Sequence, residues 1–135
     1  MKNTLKPGSQ KTSRITVDRA RVTRHMGETL GVYATPAMVN DIEMVCRDFL
    51  LEYLDPGEDS VGTRVDVQHL AATPEGMWVE ITATVTTIDR RAVTLEAIVR
   101  DAFDEVGRCT HSRFVVDVTK MKERLAAKVA KARAL

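Results

Sequence analysis

The sequence predicts an α+β fold: one long central helix wrapped by a curved antiparallel sheet of about five strands, with a short C-terminal helix behind it. Two features carry this reading. Apolar residues between Thr35 and Asp55 recur at three- and four-residue spacing, and from Ser60 to Val118 the pattern switches to period two, broken by short turn signals.

Taken in order, the first dozen residues are polar, basic and punctuated by Pro7 and Gly8. They offer too little apolar surface to offset the entropy of ordering, so residues 1–13 are expected to form a disordered basic tail. From Arg14 the run RITVDRARVTRHM alternates over its first half and reads as a strand. Thr35-Pro36 then marks a helix start, with Thr35 as N-cap and Pro36 at the first helical position, and Asp55-Pro56-Gly57 marks the stop. Between them Met38, Ile42, Val45, Cys46, Phe49, Leu50 and Tyr53 form an apolar stripe, which Met44, Leu51 and Leu54 widen, so the helix should be largely buried. Four strands follow: SVGTRVDVQHLAA, MWVEITATVTTI, AVTLEAIVRDAF and VGRCTHSRFVVDV. The turn segments TPEG, DRR and DEVG separate them and make the set an antiparallel meander. The closing TKMKERLAAKVAKARAL reads as a helix with Met121, Leu125 and Val129 on one side and basic residues over most of the rest.

A helix that wants apolar contact all round, followed by a sheet able to cover one side, is satisfied if the sheet curves around the helix and a second subunit closes the remaining side. That is the hotdog arrangement, and it makes a homodimer the expected state, with a tetramer also open. A two-layer α+β sandwich fits the same pattern.

The composition sets outer limits. At 135 residues and 44% hydrophobic content the chain suits one domain with one core, placed at residues 14–135. Its net charge of +1, from 20 basic and 19 acidic residues, gives no field that would draw it to nucleic acid or to an acidic membrane. Cys46 and Cys109 match neither a disulfide framework nor a zinc spacing and are expected to be buried thiols. No apolar run is long enough to span a membrane and MKNTLKPGSQKTSR lacks a signal-peptide core, so a cytoplasmic protein is expected. No metal and no redox cofactor are implied.

Several residues could carry chemistry. Strand alternation sets His69 on the face of Val61, Val65, Val67 and Ala71, pointing to the core, where a lone imidazole is commonly just a satisfied core residue. Glu43 falls at the edge of the helical stripe, half-buried, as a candidate general base or as a partner of Arg47 at i+4. The cap role accounts for Thr35 by itself, but the free amides of a helix N-terminus could also stabilise an oxyanion. Gly62 inside a strand marks a bulge or a close ligand approach. His111 and Arg113 share a strand face and read as solvated surface. His25 has no acid near it in sequence. The basic final helix could touch nucleotide phosphates or simply be a soluble face.

The segments VYATPAMVNDIEMVCRDFLLEYLDPGEDSVGTRVDVQHLAATPEG and RDAFDEVGRCTHSRFVV resemble the fluoroacetyl-CoA thioesterase family of hotdog proteins, over roughly residues 20 to 118. The resemblance is carried by Ala-Thr before the helix, Glu eight residues on, the Leu-Asp-Pro-Gly-Glu exit, Val-Gly-Thr, and His-x-Ala-Ala-Thr-Pro-x-Gly. It implies a thioesterase whose catalytic residues are Thr35, Glu43 and His69. Gly62 would help polarise the thioester carbonyl, and Arg113 and Tyr33 would complete substrate binding. Thr35 either attacks the thioester or positions water, while Glu43 and His69 move protons. The family's longer, aromatic-rich lid before the Thr is replaced by HMGETLGVY, whose only aromatic is Tyr33, so the resemblance implies the reaction and not the acyl group. The expected substrate is a short acyl-CoA, with coenzyme A entering only as part of it. A non-catalytic acyl-CoA-binding hotdog protein and a hotdog hydratase or dehydratase are the alternatives, and release of free thiol separates hydrolysis from both.

Overall fold

Residues Thr35–Leu51 form the long helix α1, and its buried face carries Met38, Ile42, Val45, Cys46, Phe49 and Leu50, as their spacing requires. The computed structural model describes every residue from Met1 to Leu135. The N-cap is Ala34 and no side chain caps the helix, which corrects the expectation for Thr35. Thr35 sits one position later, inside the first turn, so its hydroxyl is free for other bonds. Met44, expected in the apolar arc, is exposed, and the carboxylate of Asp41 is buried in its stead.

Five strands make the main sheet: β1 (Gln10–Thr16), β4 (Glu58–His69), β5 (Trp78–Asp89), β6 (Ala92–Arg100) and β7 (Glu105–Asp117). β2 (Val22–Thr23) and β3 (Val32–Tyr33) pair as a separate small ribbon just before α1. Every neighbouring pair is antiparallel. The order is β1-β5-β6-β7-β4, so β4 pairs with β7 instead of with β5 as a simple meander would have it. β1 takes the place beside β5, in register from Gln10 opposite Thr84 to Thr16 opposite Trp78. The TPEG connection therefore crosses between opposite sides of the sheet. It is fastened on the way by Leu70 N to Val106 O (2.8 Å), Glu75 N to Gly31 O (3.0 Å) and Gly76 N to Val17 O (2.7 Å).

α1 lies against the sheet over a core that includes Ile81, Val85, Leu95, Val99 and Val106. The β4 edge stays open, with Val61 and Val65 exposed, while exposed Met44 lies on the other side of α1 beside β1. Helix α2 (Val118–Arg133) follows β7 directly; Asp117 caps it by accepting from Lys120 N at 3.0 Å, and no residue of α2 is buried. No helix is long and apolar enough to cross a membrane.

The N-terminal segment departs from the expected tail. Leu5 is 4% exposed, the Met1 amino group donates to Asp55 and Glu58 at 2.7 Å each, and Gly8 N bonds Val85 O at 2.8 Å. A single leucine amid polar residues finds its partners at the far end of α1, a non-local match that composition cannot reveal. Removing residues 1–8 should lower unfolding stability by about 2 kcal/mol, mainly through Leu5. Urea denaturation checks this, and a change under about 0.5 kcal/mol, the level of an ordinary surface substitution, would restore the tail.

Candidate active site

Two polar clusters lie along the open seam between α1 and β4. At the helix N-terminus, Thr35 Oγ1 and His69 Nδ1 are 2.8 Å apart. His69 Nε2 is buried and makes no hydrogen bond. If the hydroxyl donates to Nδ1, the proton on Nε2 is a buried donor that needs an acceptor, an arrangement folded proteins rarely leave unmet. Burial holds the His69 pKa below the ordinary histidine value. The Tyr33 ring packs edge-on against His69, with centroids 6.2 Å apart, and its hydroxyl donates to Asp41 Oδ2 at 2.6 Å. Arg21 Nε holds the same carboxylate from the other side at 3.0 Å. Tyr33, the aromatic expected at the substrate, is buried, gives Asp41 a second donor beside Arg21 and backs the imidazole with its ring.

The second cluster forms eight residues further along α1. Glu43 Oε2 lies 3.8 Å from Arg113 Nη1. Arg113 and His111, read from sequence as solvated, are both buried. A guanidinium does not give up its proton, so burial demands acceptors. Arg113 donates through Nε to Ser60 Oγ (2.7 Å), through Nη2 to Ser60 O (2.7 Å) and through Nη1 to His111 Nε2 (3.1 Å). His111 donates from Nδ1 to Arg64 O at 2.7 Å, so its imidazole is neutral and its tautomer fixed, and burial lowers its pKa in the same sense. Arg47, the alternative partner for Glu43, binds Asp59 instead, at 2.7 and 3.1 Å.

The β4 register explains how these groups meet. Between Gly62 and Arg64 the pairing with β7 slips by one residue. The extra residue reverses the alternation, so Val61 faces outward with Phe114, while Ser60 and Gly62 face inward with Val65, Val67 and His69. Simple alternation had put Val61 inside. Ser60 was invisible to sequence reasoning for that reason; the one available signal was Gly62. A Cβ on Gly62 would stand 2.8 Å from Glu43 Oε2, 3.2 Å from His111 Cε1 and 3.4 Å from Arg113 Nη1, so the glycine makes room for the carboxylate.

His25 is exposed and belongs to neither cluster. Cys46 and Cys109 are free and buried, and burial pushes their thiols to about 12 and about 11, which leaves no thiolate to act as nucleophile at neutral pH. No group of three or more His, Cys, Asp or Glu side chains is placed to hold a metal ion.

A long helix cradled in a five-stranded antiparallel sheet is the hotdog arrangement. The sequence profile of the fluoroacetyl-CoA-specific thioesterases matches residues 17–119, and the chain belongs to that family. A fluoroacetyl-CoA thioesterase of Streptantibioticus cattleyicolor is 33% identical over 135 residues, covering 95% of this chain and 97% of that protein. The solved structure of fluoroacetyl-CoA thioesterase FlK superposes with a TM-score of 0.84 at 32% identity, over 92% of this chain and 97% of that one. A thioesterase superfamily member from Thermus thermophilus shares the fold, with a TM-score of 0.88 at 22% identity over 96% and 97% of the two chains. The chain is accordingly an enzyme of the acyl-CoA thioesterase class.

The close fit at Gly62 yields a prediction. In Gly62→Ala the new methyl must push the Glu43 carboxylate off Arg113, and thioester hydrolysis should fall about 100-fold, the scale of a displacement near 1 Å in a catalytic group. Steady-state thiol release checks it, with circular dichroism confirming the fold. An undiminished rate would remove Glu43 from the site.

Proposed function

We propose that the chain is a cytoplasmic homodimer that hydrolyses a small, uncharged acyl-CoA to free acid and CoA, using Thr35 and His69 of one subunit with Glu43 of the other. The observation that carries this reading is the 2.8 Å bond between Thr35 Oγ1 and His69 Nδ1, beside an unpartnered Nε2. A hydroxyl within hydrogen-bond reach of a neutral imidazole is the arrangement of an activated nucleophile.

A distance supports the dimer. Thr35 and Glu43 are eight residues apart on one straight helix, about 12 Å along its axis, too far to act on one carbonyl. β4 is an edge strand with unpaired backbone groups and exposed valines. Antiparallel pairing with the partner's β4 about a twofold axis near Val65 and Asp66 sets Gly62 of each chain opposite His69 of the other. The partner's Glu43 then supplies the acceptor that Nε2 lacks.

In the proposed reaction His69 takes the Thr35 proton as Oγ1 attacks the thioester carbon. Collapse breaks the C–S bond, and His69 returns the proton to the departing thiolate. Water, deprotonated by the same imidazole, then releases the acid and restores Thr35. Gly62 and the Arg113 cluster hold the partner carboxylate in place.

Substrate class is read from the cleft of about 410 Å³ above His69, lined by Thr23, Val32, Tyr33, Thr35, Leu70, Ala71 and Ala72. It holds no lysine or arginine to meet an acidic acyl group. The β2–β3 hairpin beside it is fastened by Arg24, which binds Glu75 and Glu28 O, and brings no aromatic side chain over the cleft apart from buried Tyr33. Acetyl-CoA and fluoroacetyl-CoA should therefore be turned over at rates within about tenfold, since fluorine for hydrogen is a smaller change than the methylene that an apolar pocket reads at only about 1–3 kcal/mol.

Thiol release from acetyl-, fluoroacetyl-, malonyl- and butyryl-CoA tests the proposal, with the malonyl thioester expected to be the poorest. His69→Ala and Thr35→Ala should each lose about 1,000-fold or more, and Thr35→Ser should retain more than Thr35→Ala. Binding without turnover by the wild-type protein would overturn catalysis in favour of an acyl-CoA carrier.

The depressed His69 pKa sets a pH limit. Burial favours the neutral imidazole, whereas the partner's Glu43 carboxylate on Nε2 would favour the charged form, so Glu43→Gln should move the acid limb of kcat/KM to lower pH. For stability, burial sets the sign: the unfolded chain takes up protons at His69 and His111 more readily, so their contribution is present above pH 6.5 and lost as the pH falls beneath it. An acid limb left in place by Glu43→Gln would separate Glu43 from His69.

A further inference from the structure

β5 and β6 are joined by a two-residue turn, Arg90-Arg91, between paired Asp89 and Ala92. Arg90 has φ 56°, the only positive φ outside the glycines. Tight hairpins favour Asn-Gly or Asp-Gly here because a larger side chain is strained in that conformation. An arginine at a position suited to glycine, followed by a second arginine, points to a use for their charge.

Beside the turn lies a surface groove in two continuous parts. One, of about 510 Å³, is lined by Asp89, Arg90, Arg91, Ala92 and Phe114. The other, of about 310 Å³, shares Arg91 and Phe114 and adds Val116, Lys120, Met121 and Arg124 where α2 turns away from β7. Phe114 is 43% exposed because Arg113 and Val115 on either side of it point inward. Four cations face two acids, Asp89 and Asp117, and Asp117 is engaged in capping α2. Arg91 reaches Glu58 Oε2 at 3.5 Å and Val115 O at 3.4 Å, while the side chains of Arg90, Lys120 and Arg124 have no hydrogen bond or ion pair.

An exposed aromatic ring framed by unpaired cations has the chemistry of a nucleotide site, in which a base stacks on the ring and phosphates meet the charges. We propose that this groove holds the 3′-phosphorylated ADP end of the acyl-CoA, with adenine on Phe114 and phosphates among Arg90, Arg91, Lys120 and Arg124. This rests on the acyl-CoA reading above. Phe114 pairs with Val61, next to Gly62, and its ring lies on the outer face of the sheet, opposite the seam, so the pantetheine arm would run around the Glu58 end of β4 to reach the site.

The test separates nucleotide from acyl recognition. Wild type, Lys120→Ala/Arg124→Ala and Phe114→Ala are compared on acetyl-CoA and on the acetyl thioester of N-acetylcysteamine, which lacks the nucleotide. Adenosine 3′,5′-bisphosphate is titrated into each by calorimetry, with adenosine 5′-monophosphate as control. Both variants should raise KM for acetyl-CoA about five- to tenfold with kcat unchanged, leave the truncated thioester unaffected, and weaken bisphosphate binding in step. An acetyl-CoA KM and a bisphosphate affinity unchanged in both variants would overturn the groove. If wild type hydrolyses neither thioester yet binds the bisphosphate in a manner the variants lose, the groove stands and the catalytic reading fails.

Discussion

Burial of the Arg113 guanidinium is the constraint from which the rest of the site follows. A permanent charge at 4% exposure must be surrounded by acceptors, and a mismatch there would cost several kcal/mol. Ser60 supplies two, but only if it faces inward, which requires the register slip in β4. His111 supplies the third, but only as the neutral tautomer that the Arg64 carbonyl selects. The nearby negative charge is Glu43, and it can approach because Gly62 has no side chain. Bulge, tautomer, glycine and carboxylate are thus solutions to one electrostatic problem.

α1 then acts as a ruler. Its buried face is anchored in the core, so Thr35 and Glu43 are held at a fixed separation, one beside His69 and the other beside Arg113. Rigid elements serve a catalytic site better than loops because the rotamers of the reacting groups are locked by packing. The same rigidity keeps the two clusters apart within one chain.

Much of this was legible in the residues, for identifiable reasons. The buried stripe of α1 follows from helical spacing, and the long strands follow from alternation, because both periodicities are local. Thr35, Glu43 and His69 were reached by resemblance; local pattern left each with an ordinary structural role. What escaped were non-local facts. Leu5 is ordered by contacts made far along the chain, β4 pairs across the sheet because β1 has filled the other position, and Ser60 faces inward because Thr63 is an extra residue in its strand. His111 and Arg113 read as surface because polar residues on a strand usually are. Their burial depends on three partners brought from β4 and α1, none visible in CTHSRFVV.

The division of labour between the two clusters also bears on how specificity can change without loss of chemistry. The charged cluster is closed on itself: every partner of Arg113 is needed to keep the guanidinium buried, so substitutions there carry a stability cost as well as a catalytic one. The cleft above His69 is different. Its walls are small aliphatic side chains and a surface hairpin held to the body through Arg24, Glu75 and the Val32–Pro74 bridge. Residues of that hairpin can be exchanged at little cost to folding, because Met26 and Leu30 are already exposed. The sheet and helix can thus keep the charged cluster fixed while the short ribbon ahead of the helix varies.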